Sequence, residues 1–454
     1  MKILLLQPAK SPASIGGEDI FLYEPLALEY VAAGVRDDHD VRILDLRLEP
    51  DLEKNLDEFC PDIVGVTAYT VHVNVARALM KQVKEWNRKV VTVVGGHHAT
   101  VKPDDFVSPS IDVIVMGDGV SAFREIVRRS ERGETLDTIP GVALVKDNKL
   151  MISDPSPAIE LDELPFPDRR LTSQYRHKYY SEWMKPLASI RTSKGCPFRC
   201  TFCALWKLTG GRYLRRQPEK VLEELGEIHE GNIFFADDES LVDVKRMSAL
   251  ARLIRDARLG KRFFLYGRSD TIAKNPGLIE LWCQAGLERV FVGLEFLSDD
   301  NLAYINKAST EKDNREAVRI LTDLGLDTYA SFIIRPEFTR DDFAALGSYC
   351  GELGLSYASF SVLTPLPGTD LYEETKDRLI TRNYDYFDFI HTLLATELPL
   401  KEFYERFAWL YDGAIPLRKR LGLLSKFPLR DIPSTVSKSR AVFNRMRTAY
   451  RDYE

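Results

Sequence analysis

The chain has 454 residues, too many for one ordinary domain, so two or three are expected. Apolar residues make up 44% and charged residues 29%, a globular composition, and no run approaches the roughly 20 apolar residues of a membrane span. The net charge of −6 divides unevenly: residues 417–454 carry ten Lys/Arg against three Asp/Glu (+7), which leaves −13 elsewhere and speaks against nucleic acid as a partner. The opening Met1-Lys-Ile-Leu-Leu-Leu-Gln-Pro8 has too short an apolar run for a secretion signal. Cys60, Cys283 and Cys350 are scattered in apolar contexts and read as reduced core thiols, so a cytoplasmic protein is expected.

Residues 1–130 alternate strand and helix signals. Strands are expected at Lys2–Leu6, Val41–Leu46, Ile63–Thr67, Val90–Val94 and Val113–Met116. Between them Val75, Leu79, Val83 and Trp86 share one face of a helix. Five such units predict a doubly wound parallel sheet, whose ligands bind beyond the carboxyl ends of the strands. Those ends carry Gln7, then Thr67-Ala68-Tyr69-Thr70, Gly95-Gly96-His97-His98 and Gly117-Asp118-Gly119. Glycines and small hydroxyl residues there let the backbone approach a large polar ligand.

Residues 131–186 read as a linker, with Asp154-Pro-Ser-Pro157 and Leu164-Pro-Phe-Pro-Asp168 held extended by proline. From 187 to 366 a second series begins, with strands expected at Leu187–Arg191, Asn232–Ala236, Arg262–Tyr266, Arg289–Leu294, Thr328–Ile334 and Tyr357–Leu363. Six strands with amphipathic helices between them predict a partial (β/α)6 barrel, with its active groups at the strand C-termini. Cys196, Cys200 and Cys203 follow the first strand and Asp237-Asp238-Glu239 the second. Tyr266-Gly-Arg268-Ser-Asp270 follows the third, and Gly293-Leu-Glu295 the fourth.

Three thiolates in eight residues point to a soft metal centre, zinc or iron–sulfur. A structural zinc site wants four ligands, and the nearest histidines are His177 and His229. A set of three suits a four-iron cluster whose last iron stays open. Zinc remains an alternative on spacing.

The Cys196-x3-Cys200-x2-Cys203 spacing, with Phe202 before the last Cys, resembles the radical S-adenosylmethionine (SAM) signature. In that family the open iron chelates SAM, and electron transfer cleaves it to a carbon radical. The resemblance covers the whole barrel, including Ile305-Asn-Lys307 and Thr364-Pro-Leu-Pro-Gly-Thr369. It implies SAM-binding roles for Phe202, Asp237, Asp238, Glu239, Arg268, Glu295 and Ile334. A departure is Ile334-Arg-Pro-Glu-Phe-Thr339, which stands where relatives often have Gly-x-Pro-Gly-Glu-Thr; Arg335 is expected to point at something acidic or polar.

Val64-Gly-Val-Thr67, Gly95-Gly-His-His-Ala-Thr100 and Gly117-Asp-Gly-Val120 together resemble the cobalamin-binding domain found ahead of many radical SAM enzymes. Here Asp118 and Val120 replace two glutamates of the family's turn. The Asp-x-His-x-x-Gly motif that supplies a cobalt-ligating histidine elsewhere is missing, so the resemblance implies cobalamin with no histidine on its lower face. The residues implied are Gln7, Thr67, Ala68, Tyr69, Thr70, Gly95, Gly96, His97, His98, Gly117, Asp118 and Gly119. A vestigial sheet without cofactor is the alternative.

The implied activity is methyl transfer to an unactivated carbon, with methylcobalamin as the donor and a second SAM recharging the cobalt. An external electron donor such as a flavodoxin or ferredoxin is implied too. No catalytic residue is assigned. Ala330-Ser-Phe-Ile-Ile-Arg-Pro-Glu-Phe-Thr339 is similar to the branch of hopanoid methylases, which act on polycyclic membrane lipids. An oxidative cyclase, like the anaerobic cyclase of chlorophyll synthesis, and a corrinoid or iron–sulfur carrier or redox sensor are the rivals.

Residues 367–454 are read as helical, aromatic and then basic. Tyr384, Tyr386, Phe387, Phe389, Phe403, Tyr404, Phe407, Trp409 and Tyr411 predict a cap over the barrel mouth, walling an apolar substrate. Val436–Tyr453 is a basic helix candidate, either solvated or resting at the inner membrane face, where each nearby Lys/Arg contributes about 1 kcal/mol.

Overall fold

The computed structural model describes residues 1–454 except 19, 148, 157–158, 413–420 and 423. Pro157 of the connector and Arg418, Lys419 and Arg420 of the basic tail therefore lie outside the described residues. Among the described residues no helix is long and apolar enough to cross a membrane.

The first sheet contains β1 (Lys2–Gln7), β2 (Asp40–Asp45), β3 (Ile63–Thr67), β4 (Val91–Gly95) and β5 (Val113–Val115), followed by β6 (Val142–Lys146) and β7 (Lys149–Ile152). Its order is β2-β1-β3-β4-β5-β6-β7. The first five strands are parallel, as expected, and β6 and β7 add as an antiparallel hairpin. The stretch read as a linker thus carries two further strands of the sheet. Val142-Ala-Leu-Val145 is a short apolar run, with valine at each end, that the proline-rich neighbourhood obscures. Each face of the sheet is covered by its own apolar layer. In the helix Val73–Trp86 the buried residues are Val73, Ala76, Met80 and Val83, while Val75, Leu79 and Trp86 are only half-buried at the edge of that face.

The second sheet contains β8 (Leu187–Ile190), β9 (Asn232–Phe235), β10 (Arg262–Arg268), β11 (Leu287–Glu295), β12 (Asp327–Ile334) and β13 (Ala358–Val362). The strands lie in sequence order, every neighbouring pair parallel. Strands and outer helices share one large core. Inside, near the starts of β11 and β12, Arg289 is sealed from water and surrounded by the rings of Trp183, Phe264, Tyr329 and Tyr357 at 4.4–5.6 Å. Glu182 and Asp327 balance its charge at 2.5 and 3.1 Å. This plug fills the strand-start end and leaves the carboxyl ends for a site.

The C-terminal region is helical. Helix Leu400–Asp412 packs on β13 and on helix Arg340–Glu352, with Phe403, Tyr404 and Phe407 buried. The aromatic segment flanks the last strand, and only part of it reaches the barrel mouth. The basic stretch forms helix Ile432–Thr448, which buries Val442 and Met446 and so is no solvated tail. Cys350 is buried, but Cys60 is exposed at φ 51°, because it ends the helix Leu52–Phe59 in a left-handed turn.

Candidate active site

The cysteine loop leaves β8 and is gripped from below by the acidic turn after β9. Thr192 N–H and Ser193 N–H donate to Asp237 Oδ1 at 2.7 and 2.8 Å, and the Thr192 hydroxyl donates to Oδ2 at 2.6 Å. Gly195 N–H donates to Asp238 Oδ2 at 2.6 Å. Gly195 sits at φ +86°, where a Cβ would strike Arg212 O and Thr209, so only glycine fits. Asp237, expected to meet SAM, thus has its carboxylate filled by the loop it positions.

From the other side the turn Ile305-Asn306-Lys307 holds the same loop. Thr201 N–H donates to Ile305 O at 3.0 Å, and Asn306 Nδ2 donates to Arg199 O at 2.8 Å. Arg268 donates to Lys307 O and, through Nε at 2.9 Å, to Asp270; its Nη1 lies 4.0 Å from Cys200 Sγ, and its guanidinium lies 3.6 Å over the Phe198 ring. Lys307 Nζ donates to Glu295 Oε1 at 2.6 Å with both side chains buried. Lys307 belongs to a motif visible in the sequence, but no site role was expected of it. Phe202 is half-buried against the barrel core, and Ile334 is fully buried with its carbonyl accepting Leu363 N–H at 2.8 Å. Arg335, as expected, reaches a polar group, Asn301 Oδ1, at 2.9 Å.

Burial raises the thiols, Cys196 to about 11 and Cys203 to about 12, and each of these cysteines also senses Cys200. Arg268 and Lys307 supply positive charge beside Cys200. Burial also raises Glu239 to about 7, against the pull of Arg268. One metal ion held by thiolates needs sulfurs about 3.8 Å apart, from Zn–S bonds of about 2.3 Å in a tetrahedron. Among the described residues no group of three or more His, Cys, Asp or Glu is placed to hold one ion. Three thiols of one loop, two of which sense the third, are the donor set of an iron–sulfur cluster with one iron left open.

Next to this loop lies a cavity of about 940 Å³ between the two sheets' carboxyl ends. Arg191 and Lys194 of the cysteine loop line it, but the three cysteines, Asp237, Asp238, Glu239, Arg268 and Glu295 do not. Of the twelve residues expected around a corrinoid, Gln7, Thr67, Tyr69, Gly95, Gly96, His97, Gly117, Asp118 and Gly119 form one wall. Ala68, Thr70 and His98 lie behind it. His98 is fully buried, with Nε2 2.9 Å from Asp105 Oδ2 and Nδ1 3.1 Å from Thr70 Oγ1. Both ring nitrogens are taken, so His98 fastens the loop and faces no ligand. Gly96 has φ +105°, and a Cβ there would come within 2.8 Å of Ala68 N and O. Asp118 caps helix Gly119–Arg132 by accepting Ser121 N–H at 2.9 Å. Tyr69 projects its ring 51% exposed, edge-on to His97 at 4.8 Å and His72 at 5.9 Å. Burial lowers both imidazoles to about 4, which keeps them neutral. His72 lines the cavity unannounced by any motif.

The cavity continues downward among Leu28, Val31, Gly65, Val120 and Phe123, between the sheet and its helices. Toward the barrel it is walled by Tyr23, Phe234, Phe291 and Tyr329 together with Ser331, Ser359 and Ser361. Gly95, Gly96, Gly117 and Gly119 at the strand ends, with apolar side chains behind them, fit a large, partly polar macrocycle.

Comparison with known proteins agrees with this division. Residues 17–127 match the B12 binding domain family and residues 190–350 the Radical SAM superfamily. The hopanoid C-3 methylase of Methylococcus capsulatus is 32% identical over 403 residues, covering 87% of this chain and 77% of that protein. The chain belongs to the cobalamin-dependent radical SAM methyltransferases. Its cofactors are a [4Fe-4S] cluster, SAM and cobalamin. An uncharacterized methyltransferase of Pyrococcus horikoshii is likewise 32% identical, over 420 residues and 89% of both chains. In fold, the cobalamin-dependent SAM radical enzyme OxsB, solved with aqua-cobalamin and SAM bound, superposes with a TM-score of 0.74 at 16% identity, covering 98% of this chain and 71% of that one.

Proposed function

We propose that this methyltransferase adds a methyl group to an unactivated carbon of an apolar, polycyclic substrate bound at the barrel end of the cavity. The observation that carries this reading is the wall itself: Tyr23, Phe234, Phe291, Tyr329, Phe389, Ile390, Tyr411 and Met446 present apolar surface there. Each buried methylene of a substrate contributes about 0.8 kcal/mol against such a wall. The likeness to a hopanoid methylase supports the same class. When bound, the cluster and SAM supply a carbon radical and the cobalamin supplies the methyl group.

In this reading Cys196, Cys200 and Cys203 hold the cluster, while Asp237, Asp238 and the turn Ile305–Lys307 fix their loop. Arg268 and Lys307 offset the thiolate charge, and Glu239 and Glu295 are the carboxylates for the SAM ammonium and ribose. The nine wall residues from Gln7 to Gly119 cradle the corrin, with Tyr69 and the neutral His72 and His97 beside it. The aromatic wall keeps water from the radical. Electrons come from an external donor of the flavodoxin or ferredoxin kind.

A membrane surface as the place where the substrate is met is supported by Leu429, 86% exposed, beside the exposed Leu421 and Arg430 and by Lys438 and Arg440 on the following helix. Binding to anionic vesicles that salt abolishes, and that Lys438→Glu with Arg440→Glu weakens, is expected. The reaction is tested by anaerobic reconstitution with about four irons per chain, then mass analysis of products. A methyl gain with deoxyadenosine and S-adenosylhomocysteine is expected. Ring closure without a methyl gain would favour the cyclase, and no SAM cleavage would favour a carrier.

A further inference from the structure

The six barrel strands leave one side open, because among the described residues β8 and β13 pair with no further strand of their sheet. The C-terminal segment closes it. Val362 N–H donates to Phe389 O at 2.7 Å; the Tyr411 hydroxyl accepts Phe360 N–H at 2.9 Å and donates to Phe360 O at 2.6 Å. A phenol and a loop carbonyl thus take the hydrogen bonds that a next strand would take. Behind them helix Ile432–Thr448 stacks Phe443 on Tyr411, ring centroids 5.2 Å apart, and brings Met446 into the cavity wall with Ile390 and Tyr411.

The end of that helix is fastened by a charged cluster that is buried on one side and half-exposed on the other. His391 is fully buried, with Nδ1 2.8 Å from Asp388 Oδ2 and Nε2 2.8 Å from Asp452 Oδ2. A carboxylate oxygen only accepts, so both ring nitrogens donate and the imidazole is a cation. Arg445 reaches the same Asp452 oxygen at 2.6 Å, so two cations face two carboxylates. Asp388, itself a lining residue, also accepts Ile15 N–H at 2.7 Å. This draws the cavity-lining loop at Ser14–Gly17 into the cluster. Tyr386 stacks on the imidazole at 4.4 Å; the Tyr453 hydroxyl donates to Thr392 O at 2.8 Å and lies 2.9 Å from Tyr404 Oη.

We propose that Met446 is a specificity-determining residue, the side chain that sets how bulky a substrate the barrel end accepts. His391 is the positioning residue that locks the helix carrying it. The inference rests on the reading that the substrate occupies that end of the cavity. Burial alone would depress the His391 imidazole, but its bonds to Asp388 and Asp452 outweigh this and raise its pKa above the usual value. The facing groups are Asp388, Asp452, Tyr386 and Tyr453, with Arg445 behind Asp452. With the folded pKa raised, the lock is fully formed below the ordinary histidine range and loosens as pH rises through the raised value.

The test uses the reconstituted full-length enzyme and the fluorescent sterol dehydroergosterol as an apolar polycyclic probe. Met446→Trp is expected to weaken probe binding about tenfold or more. Met446→Ala, which only removes volume, is expected to keep binding the probe, and far-UV circular dichroism equal to the wild type's shows that both variants fold. The wild type is expected to lose affinity at alkaline pH, and His391→Gln to flatten that loss and to speed amide exchange at 11–18 and 384–392. Probe binding by Met446→Trp equal to the wild type overturns the wall, and unchanged exchange in His391→Gln overturns the lock. A wild type that cleaves SAM yet ignores the sterol overturns the wall together with the apolar-substrate reading. A wild type that binds the sterol but does not cleave SAM strikes the radical reading alone.

Discussion

Lys307 places its Nζ 2.6 Å from Glu295 Oε1, twelve residues back along the chain, with both side chains buried beside Cys200. Glu295 turns inward at φ +62°, and a side chain at Gly293 would collide with both members of the pair. The Gly-Leu-Glu end of β11 therefore exists to make room for this ion pair. Lys307→Met leaves a buried carboxylate unpaired and is expected to cost about 3–5 kcal/mol, measured by denaturant unfolding. Iron per chain should fall with it. Lys307→Arg, which keeps the charge, should recover part of both.

Asp237 accepts three hydrogen bonds from Thr192 and Ser193 and so sets where the cysteine loop begins. Asp237→Ala orphans two buried N–H donors, at about 1–3 kcal/mol each. It should lower iron content while corrinoid binding, monitored by visible absorbance, stays as in the wild type. Equal iron content in Asp237→Ala and the wild type would remove Asp237 from its positioning role.

Elements and their order were legible because period and composition are local properties. Ile63–Thr67 is the same in both readings, and the other expected strands of both sheets differ from the observed ones by a few residues at their ends. The hairpin β6–β7 was missed because prolines nearby masked a short apolar run, Val142–Val145. Side-chain roles were less legible, since partners come from far along the chain. Asp237 and Glu239 look alike in sequence, yet the first is filled by Thr192 and Ser193 of the cysteine loop and the second accepts Leu241 N–H at 3.2 Å. His97 and His98 are neighbours, but a helical turn sends one to the cavity and the other to Asp105, seven residues on.

Glu29 gives a pH dependence to the contact between the first domain and the connector. Its carboxylate is sealed in, accepts the Thr172 hydroxyl at 2.5 Å, and is raised by burial to about 7 despite Arg169. A carboxyl whose folded pKa is raised favours the folded state at low pH, and that contribution is lost as pH climbs from about 4.5 toward 7. Glu29→Gln should therefore be more stable than the wild type at pH 8, by on the order of 1 kcal/mol. The gap should shrink toward pH 5; thermal midpoints at both pH values check it.

His98 and Gly96 separate holding the corrinoid loop from touching the corrinoid. Gly96→Ala puts a Cβ into Ala68 N and O at φ +105°, so the loop after β4 must move. Corrinoid affinity should fall by about 5- to 150-fold, from 1–3 kcal/mol of strain. His98→Gln breaks at least one of the two bonds to Asp105 and Thr70, and Asp105 is also bonded to Tyr384 of the C-terminal region. That variant should lose stability, because it unties the first domain from the last. Its cobalt(II) paramagnetic spectrum should nevertheless match the wild type's, with no nitrogen coupling in either, since both ring nitrogens already point at protein. Nitrogen coupling in the wild type that vanishes in His98→Gln would show that the loop opens to give up its histidine, and the fastening role would be wrong.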